Sequence, residues 1–153
     1  MQEFLRWNPL KDTPRARVPV LPLSQETAPM RQHAQSRAGL LAGMAGGSAV
    51  LLGAFGAHAL RTVLDTAQLE LWRTAVQYHF WHALALAAAV LCPAGRPRRW
   101  ALRAFASGIV IFSGSLYALA LGAPHWTGIA TPFGGVAFIV GWIALGASLR
   151  TSS

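Results

Sequence analysis

The chain is short of charge, and shortest of acid. Only 12% of its 153 residues are charged, and five are Asp or Glu. A water-soluble domain carries about 25% charged residues, so much of this surface calls for a solvent other than water. Glu3, Asp12 and Glu26 lie in the first 29 residues, while Asp65 and Glu70 fall between apolar runs. No carboxylate lies inside those runs. Nucleophilic catalysis needs a base oriented by a third group, and a zinc site needs about four ligands. Neither set can be drawn within the runs, and no enzyme activity, cofactor or metal is expected. Cysteine is reduced to Cys92 alone, which excludes an intrachain disulfide or a thiolate metal cluster. It reads as a small apolar residue near a helix end. Met1–Pro29 also lacks the unbroken apolar core of a signal peptide.

Hydrophobic residues make up 54% of the sequence, with mean hydropathy +0.40. Ala38–Leu60, Leu102–Ala123 and Ile129–Leu149 are long and almost free of charge. Thr74–Cys92 is a fourth such run, interrupted by Tyr78, His79 and His82. About 20 apolar residues cross the hydrocarbon core, and helices satisfy their own backbone polar groups there. The expected fold is an all-α bundle of four transmembrane helices with left-handed packing. Its domain is residues 38–149, with helices at 38–60, 66–92, 100–122 and 132–149.

Arginine then sets the orientation. Arg31, Arg37, Arg96, Arg98, Arg99, Arg103 and Arg150 fall on one side of these spans; Arg61 and Arg73 fall on the other, beside Asp65 and Glu70. The excess of Arg marks the cytoplasmic side, which places both termini inside. The net charge of +8 is thus a topology signal. It points to anionic headgroups and not to nucleic acid. The expected partners are the bilayer and either a second copy or a larger membrane complex.

Residues 1–37 form a Pro-rich tail with five of the nine prolines in its first 29 positions. Such density favours extended, unfolded chain. The tail is read either as a disordered cytoplasmic segment or, preferably, as preceding a native start at Met30. Further on, Asp65 with Gln68 has the form of a capping box, and Trp72 suits the membrane interface. Thr131-Pro132 marks a helix start, with Thr as N-cap and Pro at the first helical position.

Small residues recur every three or four positions. Gly39, Gly46, Gly53 and Gly56 lie in the first helix, Gly114 in the third, and Gly134 and Gly141 in the fourth. They are expected to pack helices closely; a hinge is the lesser reading. The second helix has its own seam through Tyr78 and His82, with His79 off that line as an interfacial side chain. Counting along the helices places His82 and Ser113 both roughly 12 Å below the outer surface, and Tyr78 and Tyr117 both at roughly 6 Å. His58 and Thr131 lie nearer the boundary. The candidate polar cluster is therefore His58, Tyr78, His82, Ser113, Ser115, Tyr117 and Thr131, in the outer half of the membrane. Intramembrane polar groups are functional candidates. A proton-accepting site, a small-ligand pocket or a metal or haem site is one reading. Interhelical hydrogen bonding, at about 0.6–2 kcal/mol per bond, is preferred.

GAFGAHAL (Gly53–Leu60), Tyr78 with His82 before ALAL, FSGSLYALAL (Phe112–Leu121) and TPFGGVAFIVGW (Thr131–Trp142) together resemble the domain of unknown function 423 family. These are small YgdD-type bacterial inner-membrane proteins, similar to eukaryotic transmembrane protein 256. The resemblance covers residues 38–149. It implies a small multi-pass inner-membrane protein, structural or accessory in role, and supplies no catalytic residues. His79 and the Pro-rich tail stand outside the pattern. The alternative function is binding or transport of a small ligand or proton through the outer polar cluster.

Overall fold

The computed structural model describes the backbone of residues 28–150 and the side chains of residues 36–150. These residues are all-helical, without strands. Helix α1 (Ala28–His58) is followed by a 3-10 turn (Leu60–Thr62) and by α2 (Thr66–Leu91). Helix α3 (Arg96–Gly108) widens into a π turn (Ile109–Ser113) and continues as α4 (Gly114–Ala120). A second 3-10 turn (His125–Ala130) then runs straight into α5 (Thr131–Arg150). The tail reading falls mainly on residues outside those described, and from Ala28 the chain is already helical.

Ser36–Thr62, Arg96–Ala120 and His125–Arg150 are long and apolar enough to cross a membrane. Helix α2 does not reach the same apolarity, because Gln77, Tyr78, His79 and His82 interrupt it. Three candidate spans therefore stand where the sequence predicted four. The reason is visible in the packing. Helix α2 lies at the centre, against α1 on one flank and α3, α4 and α5 on the other. Its histidines are 6% and 5% exposed, so they face protein and not lipid.

Local chemistry fixes the element ends. Asp65 accepts from the Gln68 backbone at 2.8 Å while the Gln68 side chain accepts from the Asp65 backbone at 3.0 Å. This reciprocal box satisfies two of the otherwise unpaired donors at the start of α2. At the end of α4, Gly122 takes φ 89°, with Ala123 N–H on the Ala118 carbonyl and Gly122 N–H on that of Leu119. That is a Schellman stop, and the left-handed residue is the one without a Cβ. Thr131 departs from its expected role. It is already in the α-helical conformation, since the preceding 3-10 turn leads directly into α5. Its hydroxyl is thereby free for another helix.

Close helix contacts also depart in part from the small-residue pattern. A Cβ on Gly134 would meet the Phe112 backbone, one on Gly141 the Phe105 ring, and one on Gly56 the Trp72 indole. Gly53 lies against Val76 at 3.3 Å. Gly39, Gly46 and Gly114, by contrast, have nothing within 4 Å. Gly108, absent from the predicted set, abuts Phe138. Phe105, fully buried, and Phe138, 4% exposed, fill the α2–α3–α5 core.

Candidate functional site

The polar side chains fall into three separate groups. The first surrounds His82. Its ring stacks on Phe138, with centroids 3.4 Å apart and planes 10° apart. Phe105 and Trp142 flank it at 5.9 and 6.3 Å. His82 Nδ1 lies 2.7 Å from the Tyr78 carbonyl, so it must donate, and Nε2 then accepts the Trp142 indole N–H at 3.3 Å. Both nitrogens are in use. Tyr78 packs over Phe112 at 4.6 Å.

The second group involves His79, read from the sequence as interfacial and here buried. Its Nε2 lies 3.4 Å from Ser48 Oγ of α1, and its Nδ1 lies 3.4 Å from the Tyr117 hydroxyl of α4. The physical reason is that a central helix has two buried faces. A single seam through Tyr78 and His82 describes only the α3–α5 side. His79, one residue beyond Tyr78 and so about 100° around the helix, looks to α1 and α4.

The third group ties α4 to α5. Ser115 Oγ donates to the Phe112 carbonyl at 2.9 Å and lies 2.7 Å from Thr131 Oγ1. Since Ser115 has one proton, Thr131 donates between them. Ser113 is fully buried in the π turn, and its Oγ has no hydrogen-bond partner.

The structure thus distributes the predicted cluster. His82 meets aromatic rings and the Tyr78 carbonyl, with no bond to the hydroxyls of Ser113 or Ser115. Tyr117 joins His79, Thr131 joins Ser115, and His58 is exposed at the end of α1. Trp72, expected at the depth of the membrane interface, faces protein. It is 4% exposed, and its indole donates to the Leu52 carbonyl at 3.0 Å, clasping α2 to α1 across Gly56. Ser48, Phe138 and Trp142 complete these groups; the last two lie in the TPFGGVAFIVGW block, but nothing in that block marks either as a partner of His82, and no motif marks Ser48. Among the residues with described side chains, no group of three or more His, Cys, Asp or Glu gathers in the manner of a metal site.

Residues 52–135 match the family model described as Protein of unknown function (DUF423). The chain belongs to the DUF423 family. It is 46% identical over 102 residues to the UPF0382 membrane protein YwdK of Bacillus subtilis (strain 168), covering 63% of this chain and 82% of that one. Against a UPF0382 membrane protein of Haemophilus influenzae it is 40% identical over 108 residues, covering 69% and 86%. With the UPF0382 inner membrane protein YgdD of Escherichia coli (strain K12) it shares 36% identity over 106 residues, covering 67% and 81%. No solved structure matches. This DUF423 chain is therefore a membrane protein of a family without an assigned activity. The matched stretch contains His79, His82, Ser115, Tyr117 and Thr131, while Ser48, Phe138 and Trp142 lie outside it.

Proposed function

We propose that this DUF423 protein is a four-span bundle of the bacterial inner membrane, its helices in left-handed packing and both termini cytoplasmic, with a structural or accessory role and no catalysis. The observation that carries the role is the state of His82. The best-placed base for chemistry has both nitrogens paired and its ring stacked between aromatic side chains. A base so committed serves helix packing. Support for the fourth span comes from α2 itself. Its 26 residues reach about 39 Å, and it lies between helices that cross. Its polar groups turn toward protein, as intramembrane polar residues do. Support for the orientation comes from Arg37, Arg96, Arg98, Arg99, Arg103 and Arg150, which antiparallel helices bring to one end.

Two measurements test this reading. Reporter fusions at Arg150 and in the Ala123–Ala130 turn should report cytoplasm and periplasm respectively; the same side for both would overturn the topology. Native-membrane purification should give an assembly larger than one chain, either of several copies or with other membrane proteins. A strict monomer without companions would remove the accessory role.

A further inference from the structure

A groove runs along the flank where α1 leaves the bundle. Helix α1 packs on α2 and scarcely touches α3 or α4. The gap between them has a volume of about 520 Å³, within the range of small-molecule sites. Leu41, Met44, Leu86, Ala106, Ile109 and Val110 make one end wholly apolar. Ser48, His79 and Tyr117 sit at the other. From Leu41 to Leu52 on α1, and from Ala106 to Tyr117 on α3–α4, the groove spans about 16 Å. It is open along its side. One polar end and a long apolar channel match a molecule with one polar head and a hydrocarbon tail.

The hydrogen bonds specify the head. Ser48 Oγ lies 2.8 Å from the Met44 carbonyl and 3.1 Å from that of Ala45, so its one proton is spent on the backbone. Toward His79 it can only accept, and His79 Nε2 must carry the proton. In a neutral imidazole Nδ1 is then an acceptor, and the Tyr117 O–H donates to it. Every proton in the chain Tyr117–His79–Ser48–Met44 is committed. What remains is lone-pair capacity on two oxygens that line the groove; Ser48 Oγ is already surrounded by the Met44 and Ala45 carbonyls and His79, which leaves the Tyr117 oxygen for a guest. Two of the links are 3.4 Å long, so the chain is loosely drawn and has room to tighten on a guest.

We infer that the α1–α3–α4 groove binds a membrane amphiphile whose head is a hydroxyl, donated to the Tyr117 oxygen, with its hydrocarbon tail running toward Leu41 and Ala106. A ketone, ester or ether head would bring only acceptors to a site whose own donors are occupied. The inference stands apart from the accessory role, because it rests on His79 and the groove and not on His82.

Photolabelling of the purified full-length protein in lipid nanodiscs tests it. The probes are palmityl alcohol bearing a diazirine in its chain and the corresponding methyl ether. The alcohol should label peptides of α1 and α3–α4 saturably and be displaced by unlabelled palmityl alcohol. Tyr117→Phe should weaken that binding about three- to tenfold, the loss of one hydrogen bond, and leave the ether unchanged. Gly114→Leu fills the groove, and the first atom of the new side chain meets nothing within 4 Å. It should abolish labelling by both probes while thermal unfolding stays near wild type. Equal affinity for alcohol and ether would overturn the hydroxyl assignment. Saturable labelling that persists in Gly114→Leu, or no saturable labelling in the wild type, would overturn the site.

Discussion

His82 and Trp72 each join a ring packed between helices to a hydrogen bond with another helix, and they do it differently. His82 contributes both a ring and two nitrogens. Its replacements separate those contributions. His82→Phe keeps a ring over Phe138 and loses the bond from Trp142, an interhelical bond of about 0.6–2 kcal/mol. His82→Ala also empties the space under Phe138, and a buried aromatic reduced to alanine costs about 3–5 kcal/mol. Denaturant unfolding in micelles should rank wild type above Phe above Ala. A Phe variant as unstable as Ala would mean that the nitrogens, and not the stack, carry the contribution. At Trp72, the Nε1–H to Leu52 bond and the ring form one of the contacts that tie α1 to α2, beside the Ser48–His79 link. Trp72→Phe should therefore loosen α1 specifically, read as increased cross-linker access to cysteines introduced along α1.

At the scale of elements, the glycines divide by what faces them. Gly134 meets backbone, which cannot yield, so Gly134→Ala forces α5 away from the π turn. Overpacking of this kind costs typically about 1–3 kcal/mol. Gly46 faces open space, and there Gly→Ala should be neutral or favourable by up to about 1 kcal/mol through helix propensity. Unfolding of the two single variants checks the contrast; equal effects would mean that the α5 approach is looser than it stands. The start of α2 offers a second test. Asp65→Ala removes the box and should cost about 1 kcal/mol, with Asp65→Asn restoring most of it. The Glu70–Arg73 pair on the same turn is exposed on both sides, and its loss should leave stability almost unmoved.

The described residues form an α2–α3–α4–α5 body with α1 packed chiefly on α2. Regions with fewer buried contacts open at lower free energy. Hydrogen exchange in micelles should thus show α1 from Leu40 to Leu52 opening before α5 from Phe138 to Leu145, which buries Phe138, Gly141, Ala144 and Leu145. Uniform protection across both would remove the picture of a detachable first helix. The same looseness leaves the lateral groove, so occupation of that groove should raise protection in α1 more than elsewhere.

Much of this arrangement was legible in the residues alone. Long apolar runs, the Asp65–Gln68 box and the blocks that resemble the DUF423 family are local or composition-level signals. Each acts within one turn or one span, so a linear sequence displays it. Which polar groups meet was decided only by the tertiary structure. Counting along the helices put His82 and Ser113 at one expected level, but level says nothing of azimuth. The central position of α2 gave it two buried faces, sending His79 toward Ser48 and Tyr117 and His82 toward Phe138 and Trp142. The roles of Gly108 and Gly114 turn on the same point. A missing Cβ is useful only where a neighbouring helix comes close, and that closeness belongs to the packing of whole helices.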